Sequence, residues 1–145
     1  MRKVVVLLGA LVAVLVSVLA GTATGASTET GVTAKTVTIG GTYPLTGPAS
    51  LYAPIPVAMK AYFSWINARK GPDGKRGVGG RQIVFNFLDD GYNPANSVQL
   101  TRKLVEQDKV FAVVGSLGTE PNLAIRPYLN QQKVPHLLNA SGATI

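Results

Sequence analysis

The spacing of apolar residues changes period along the chain, and each change predicts an element. Thr36-Val-Thr-Ile-Gly-Gly-Thr42 alternates polar and apolar residues before it closes in glycines, the pattern of a strand. Tyr43 to Ser50 is dense in turn formers. From Ile55 the period lengthens to about 3.6, that of a helix. Met59, Phe63 and Ile66 stand at i, i+4 and i+7, with Ala58, Tyr62 and Trp65 alongside. Pro54 and Pro56 suit its first turn, where a missing N–H costs nothing, and Gly71-Pro72 stops it. Phe63 and Trp65 are expected in the core. Gln82 to Leu88 is a second strand, closed by Asp89-Asp90-Gly91. Asn93 and Pro94 read as the cap and first residue of a second helix, with Val98, Leu100, Leu104 and Val105 on its apolar side.

Val110 to Val114 is a continuous apolar run, as in a strand buried on both faces. It stops at Gly115, and a turn of small residues leads to a helix from about Glu120 to Gln132. Leu123, Ile125 and Leu129 are its apolar positions, and Pro127 is expected to kink or restart it. Val134 to Leu138 is a fourth strand. The order β-α-β-α-β-α-β implies right-handed crossovers and an α/β fold: a flavodoxin-like parallel sheet flanked by helices on both faces.

The first residues lie outside this pattern. Arg2 and Lys3 precede 17 residues, Val4 to Ala20, that are apolar apart from Gly9 and Ser17. A membrane span needs about 20. A basic start, a short apolar stretch and small residues after it make a secretory signal, residues 1–26, with a flexible leader at 27–35 and the domain at 36–145. Thr22 follows Leu19-Ala20-Gly21, where a lipoprotein would carry cysteine, and the chain has no cysteine at all. That excludes a lipid thioether, disulfides and thiolate metal sites. A periplasmic or secreted protein is expected. The formal charge of +7 falls to +5 without Arg2 and Lys3. The cluster Lys70, Lys75, Arg76 and Arg81 in a Gly-rich link reads as solvated surface, and no basic stripe suggests nucleic acid. Ser141 to Ile145 follow directly on the last strand, so a truncated chain is expected.

Ligands of such sheets bind outside the carboxyl ends of the strands. Gly40–Tyr52, Asp89–Asn93, Gly115–Thr119 and Asn139–Thr144 must converge there. Catalytic readings fail one by one. Asp89 and Asp90 are adjacent, so an extended backbone points them to opposite sides. His136 is the only histidine and has no evident serine partner. Gly77-Val78-Gly79-Gly80 follows a helix and precedes a strand, the reverse of a dinucleotide loop. No phosphate loop, metal cluster or cofactor site is evident. Thr119 is open to two readings, a helix N-cap or a hydroxyl for a ligand carboxylate resting on the helix N-terminus.

Taken in order, Val37-Thr-Ile-Gly-Gly-Thr-Tyr-Pro-Leu-Thr-Gly-Pro48 with Tyr52, Ala68 to Gly71, Gly80 to Ile83, Asp89-Asp90 with Asn93-Pro94-Ala95, Val113 to Thr119, and Val134-Pro135 with Ala140 to Thr144 resemble the periplasmic substrate-binding proteins of branched-chain amino-acid ABC transporters, of type I fold. The resemblance covers the whole mature chain. It implies a monomer whose two lobes close on an amino acid or similar small carboxylate and deliver it to a membrane permease. Only part of lobe one would be present, without the second lobe's ammonium-binding acid. In the turn Ser116-Leu117-Gly118-Thr119 the carboxylate would be held by Thr119, while Ser116 either adds a contact or shapes the turn. Ala140, Ser141 and Gly142 would add backbone and hydroxyl contacts, and Tyr52 would pack near the ligand side chain. The last turn departs from the common pattern by about a residue, which leaves open which of Ser141 to Thr144 binds. Two other classes remain: an extracytoplasmic sensor of the same fold, and a secreted flavodoxin-like enzyme or nucleotide binder.

Overall fold

The alternation in Thr36–Tyr43 forms strand β1, and its burial deepens toward the carboxyl end. The computed structural model describes residues 29–143, so the expected signal segment lies outside the described residues. β1 pairs in parallel with β2 (Gln82–Asp89) along its whole length, from Thr36 opposite Gln82 to Tyr43 opposite Asp89. Its other edge meets β3 (Ala112–Val114), which pairs in parallel with β4 (His136–Leu137). The sheet order is β2-β1-β3-β4. Parallel neighbours need crossover connections, supplied by α1 (Pro54–Ala68), α2 (Pro94–Glu106) and α3 (Thr119–Gln132). A single 3-10 turn, Ser50–Tyr52, leads into α1.

Burial divides into two cores, one on each face of the sheet. On one face Leu104 and Val105 of α2 and Ile125, Tyr128 and Leu129 of α3 close over Val110 and Val113. On the other, Tyr43, Phe85 and Leu117 gather Ile55, Met59 and Phe63 from α1. The expected two-faced α/β layering is therefore present. Helix α2 starts as its sequence requires: the Asn93 side chain accepts from the amides of Ala95 and Asn96 at 2.9 and 3.4 Å, with Pro94 in the first turn.

Five expectations are corrected. β3 is shorter than Val110–Val114, because Lys109 turns at φ +53° and the Val110 amide closes on the Leu104 carbonyl at 3.1 Å. β4 spans two residues, and Leu138 leaves it at φ +54°. Pro127 does not restart α3, which runs on unbroken through it. Leu123, whose carbonyl loses its partner to that proline, is exposed, so water can take the vacant bond. Trp65 is not core; it is 52% exposed, and Arg69 lies 4.4 Å above its ring. The stretch expected as a flexible leader is tied to the sheet over its described part, Val32 pairing with Val37 and the Thr38 amide donating to Gly31.

Candidate functional site

The chain runs from β1 outward to β2 and then crosses back to β3, so the loops after β1 and β3 diverge. Such a reversal opens a crevice at the carboxyl ends of the strands. A cavity of about 280 Å³ lies there, lined by Tyr52, Ile55, Tyr92, Leu117, Gly118, Thr119, Ala140, Ser141 and Gly142. Two larger hollows, about 560 and 670 Å³, sit at the opposite end among residues that precede β2, β3 and β4.

The floor is an extension of sheet pairing into the loops. Leu117 bridges Ala140 in parallel register. The Gly118 amide donates to the Ala140 carbonyl at 2.9 Å, and the Ala140 amide returns to the Ser116 carbonyl at 3.0 Å. Beneath it the buried Tyr43 hydroxyl donates to the Val114 carbonyl at 2.7 Å, joining the ends of β1 and β3. Burial raises the pKa of that phenol well above the usual tyrosine range, which keeps it a donor. Gly118 carries the turn at φ +115°; a Cβ there would stand 2.7 Å from the Tyr92 ring and 2.8 Å from Pro121.

Thr119 lies on this floor but is not the N-cap. Gly118 occupies the cap position, and no side chain caps α3. The Thr119 hydroxyl instead meets the Ser141 hydroxyl at 2.9 Å, and Ser141 Oγ also accepts from the Ala143 amide at 3.1 Å. The capping reading is thereby removed, and two hydroxyls stand together beside an uncapped helix N-terminus. Such a terminus favours anions through its free amides and dipole.

Of the residues expected at a ligand, Tyr52, Leu117, Gly118, Thr119, Ala140, Ser141 and Gly142 line one cavity. Ser116 does not. It is fully buried, and its hydroxyl oxygen accepts from the Thr42 amide at 3.1 Å, so it shapes the turn from inside. Thr144 lies outside the described residues. Ile55 and Tyr92 line the cavity without having been singled out. Tyr92 holds φ +60° after the Asp89-Asp90-Gly91 turn and donates to Glu120 at 3.2 Å. Desolvation, then the hydrogen bond and charge of Glu120, raise its pKa. The one available signal was its place in a segment expected to reach the site.

The other titratable groups have structural work. Asp89 accepts from the amides of Leu45, Thr46 and Gly91 and from the Thr46 hydroxyl. Desolvation pushes its pKa up, but those four bonds together bring it below the usual carboxylate value. Asp90 is fully buried and accepts from the Tyr92 amide and the Ser97 hydroxyl. The two carboxylates serve different loops, not one substrate. His136 Nε2 faces the Asn122 amide oxygen at 3.0 Å, and desolvation lowers its pKa. Asn122 in turn donates to the carbonyls of Ser116 and Gly118 at 2.9 and 2.7 Å. Among the residues lining the cavity there is no acid, base or cation.

A family model described as periplasmic binding protein matches residues 36–144. Among solved structures the chain is similar to a solute-binding protein of an ABC transporter from Rhodopseudomonas palustris BisB5, in complex with 3,4-dihydroxybenzoic acid. Identity is 32% and TM-score 0.61, over 76% of this chain and 28% of that one. It is also similar to the branched-chain amino acid transporter substrate-binding protein LivJ from Streptococcus pneumoniae, in complex with isoleucine. There the identity is 26% and the TM-score 0.64, over 76% and 30% of the two chains. A fatty acid ABC transporter substrate-binding protein from Thermomonospora curvata matches at 29% identity and TM-score 0.61, over 81% and 28%. No curated protein matches. The chain thus spans less than a third of the length of these solved relatives.

Proposed function

The chain belongs to the periplasmic binding protein family, and from that premise we propose that it is the capturing wall of an extracytoplasmic solute-binding protein whose ligand is a small carboxylate. The observation that carries this is the Thr119–Ser141 hydroxyl pair at 2.9 Å, beside an α3 terminus that no side chain caps. A carboxylate placed there accepts from neutral donors while the helix dipole offsets its charge. The cavity supplies no nucleophile–base pair, so a ligand is held and released unchanged. Three relatives support the same head group. Isoleucine, 3,4-dihydroxybenzoic acid and a fatty acid share a carboxylate and little else. The carboxylate is therefore the common element, and an amino acid with a branched side chain is the first candidate. Release to an ABC permease completes the role.

Thermal shift of the full-length protein against amino acids, aromatic acids and fatty acids tests the reading. At least one carboxylate should raise Tm, and its amide or alcohol analogue should not. Thr119→Val removes one hydrogen bond to a charged group, worth roughly 1.5–3 kcal/mol, so affinity should fall about 10- to 150-fold. The unliganded Tm should stay nearly constant, since the Thr119 hydroxyl caps nothing. Affinity left intact in Thr119→Val would remove the assigned role.

A further inference from the structure

We propose that the end of this lobe formed by the last turns of α1 and the link into β2 is a docking face for the anionic headgroups of a phospholipid membrane. Between Arg69 and Arg81 the chain carries Arg69, Lys70, Lys75, Arg76 and Arg81 against a single acid, Asp73. All five cations are exposed. The ion pairs among the described residues, Arg102–Glu106 and Lys103–Asp108, lie elsewhere. Asp73 is occupied locally, accepting from the Lys75 amide at 3.1 Å.

Two of the three aromatic residues of α1, Tyr62 and Trp65, point outward on the same surface. Tyr62 is 57% exposed and Trp65 52%, their ring centroids 5.7 Å apart. Arg69 stacks over Trp65, and the link folds back so that Lys70 pairs with Arg76. A hollow of about 670 Å³ joins the parts, lined by Ile66, Arg69, Lys70 and the exposed Val78 among others. Tryptophan and tyrosine rings settle at the headgroup level of bilayers, and clustered Lys and Arg are drawn to anionic lipid within a Debye length. Cations that are all exposed, around outward rings, suit a broad charged sheet better than a small ion in need of enclosure. The placement is permissive too. The strands are parallel, so this face and the ligand cavity lie at opposite ends of β2, whose eight residues rise about 26 Å. A lobe resting on lipid here keeps its cavity free.

Trp65 is the only tryptophan among these 145 residues, and its emission is read as the difference between the full-length protein and its Trp65→Phe variant, so that it reports on this face alone. The full-length protein is titrated with phosphatidylglycerol–phosphatidylcholine vesicles and with pure phosphatidylcholine, and co-sedimentation is measured in parallel. The expected result is a blue shift and sedimentation with anionic vesicles only, both reversed near 0.5 M salt by screening. Arg69→Glu with Lys70→Glu should weaken binding at least about tenfold. Arg126→Glu with Lys133→Glu, on the α3 side, should leave it within about twofold. No response to anionic vesicles, an equal response to phosphatidylcholine, or insensitivity to the Arg69/Lys70 reversal overturns the proposal. A salt-sensitive shift with polyglutamate and none with vesicles overturns it in favour of an acidic protein partner.

Discussion

Thr119 and Ser141 stand 22 residues apart in the chain and 2.9 Å apart in the fold, next to the turn that Gly118 carries at φ +115°. Gly118→Ala would put a Cβ 2.7 Å from the Tyr92 ring in a backbone conformation that side chains rarely adopt. A loss of about 2–4 kcal/mol is expected, read as a lower Tm together with loss of the ligand-induced shift. A Tm equal to the parent's would contradict it. His136 gives a second prediction at this scale. Its folded pKa lies below the ordinary histidine value, so the neutral ring is favoured in the folded state. The unfolded chain then binds the extra proton first. Stability is complete above the unfolded pKa of about 6.5 and declines as pH falls through the folded pKa. Tm should drop from pH 7.5 to 5, and His136→Gln should flatten that slope; parallel slopes would show that other groups carry it. The hydroxyls and glycines of the site were legible in sequence as a turn rich in small residues. Their roles were not. Whether Thr119 caps α3 depends on the Gly118 torsion, and whether Ser116 faces in or out depends on the rotation of the same turn.

Elements were easier to read than their limits. The alternation in β1 and the Asn93-Pro94 start of α2 are local physics, and both form as expected. β3 starts late and β4 ends early because Lys109 and Leu138 adopt left-handed torsions that no apolar pattern encodes. Trp65 was misplaced for a related reason. The apolar stripe of α1 is wider than the strip a helix buries on a sheet, and Ile55, Met59 and Phe63 already fill that strip. Tyr62 and Trp65 are left outside. Asp89 yields the prediction at this scale. It stands at the end of β2; three of its four bonds clamp the loop that leads from β1 to Tyr52, and the fourth holds the Gly91 amide of its own turn. Asp89→Asn keeps the shape but loses the charge and the acceptor geometry. Because the group is only partly buried, about 1–2 kcal/mol of stability should go, not the sum of four charged bonds. Amide exchange at Leu45 and Thr46 should quicken in the same variant; unchanged protection there would show that the loop is held by other contacts.

At the scale of the whole lobe, seven of the proposed ligand-binding residues, Tyr52, Leu117, Gly118, Thr119, Ala140, Ser141 and Gly142, lie on one wall at the carboxyl ends of the strands. Well-built small-molecule sites bury about 70–90% of the ligand surface. One wall of neutral donors falls short of that. Two hydrogen bonds to a carboxylate contribute roughly 3–6 kcal/mol, and the helix terminus about 0.3–2 more. Association costs about 4–15 kcal/mol before any contact is counted. The balance for residues 29–143 alone lies at or beyond the millimolar range, where 1 mM corresponds to about −4 kcal/mol. The match covers only 28–30% of the length of these solved relatives, so the rest of such a chain is where tight binding and side-chain selectivity would arise. An amide-resolved NMR titration of the present chain with isoleucine and with 3,4-dihydroxybenzoate separates the two parts. Both should shift the same small set, Gly118, Thr119, Ser141 and Gly142, at millimolar concentration and with similar midpoints, because this wall reads the carboxylate and little else. Micromolar binding, or midpoints that differ by more than about tenfold between the two acids, would mean that this wall also selects the side chain, through Tyr52, Ile55 and Tyr92.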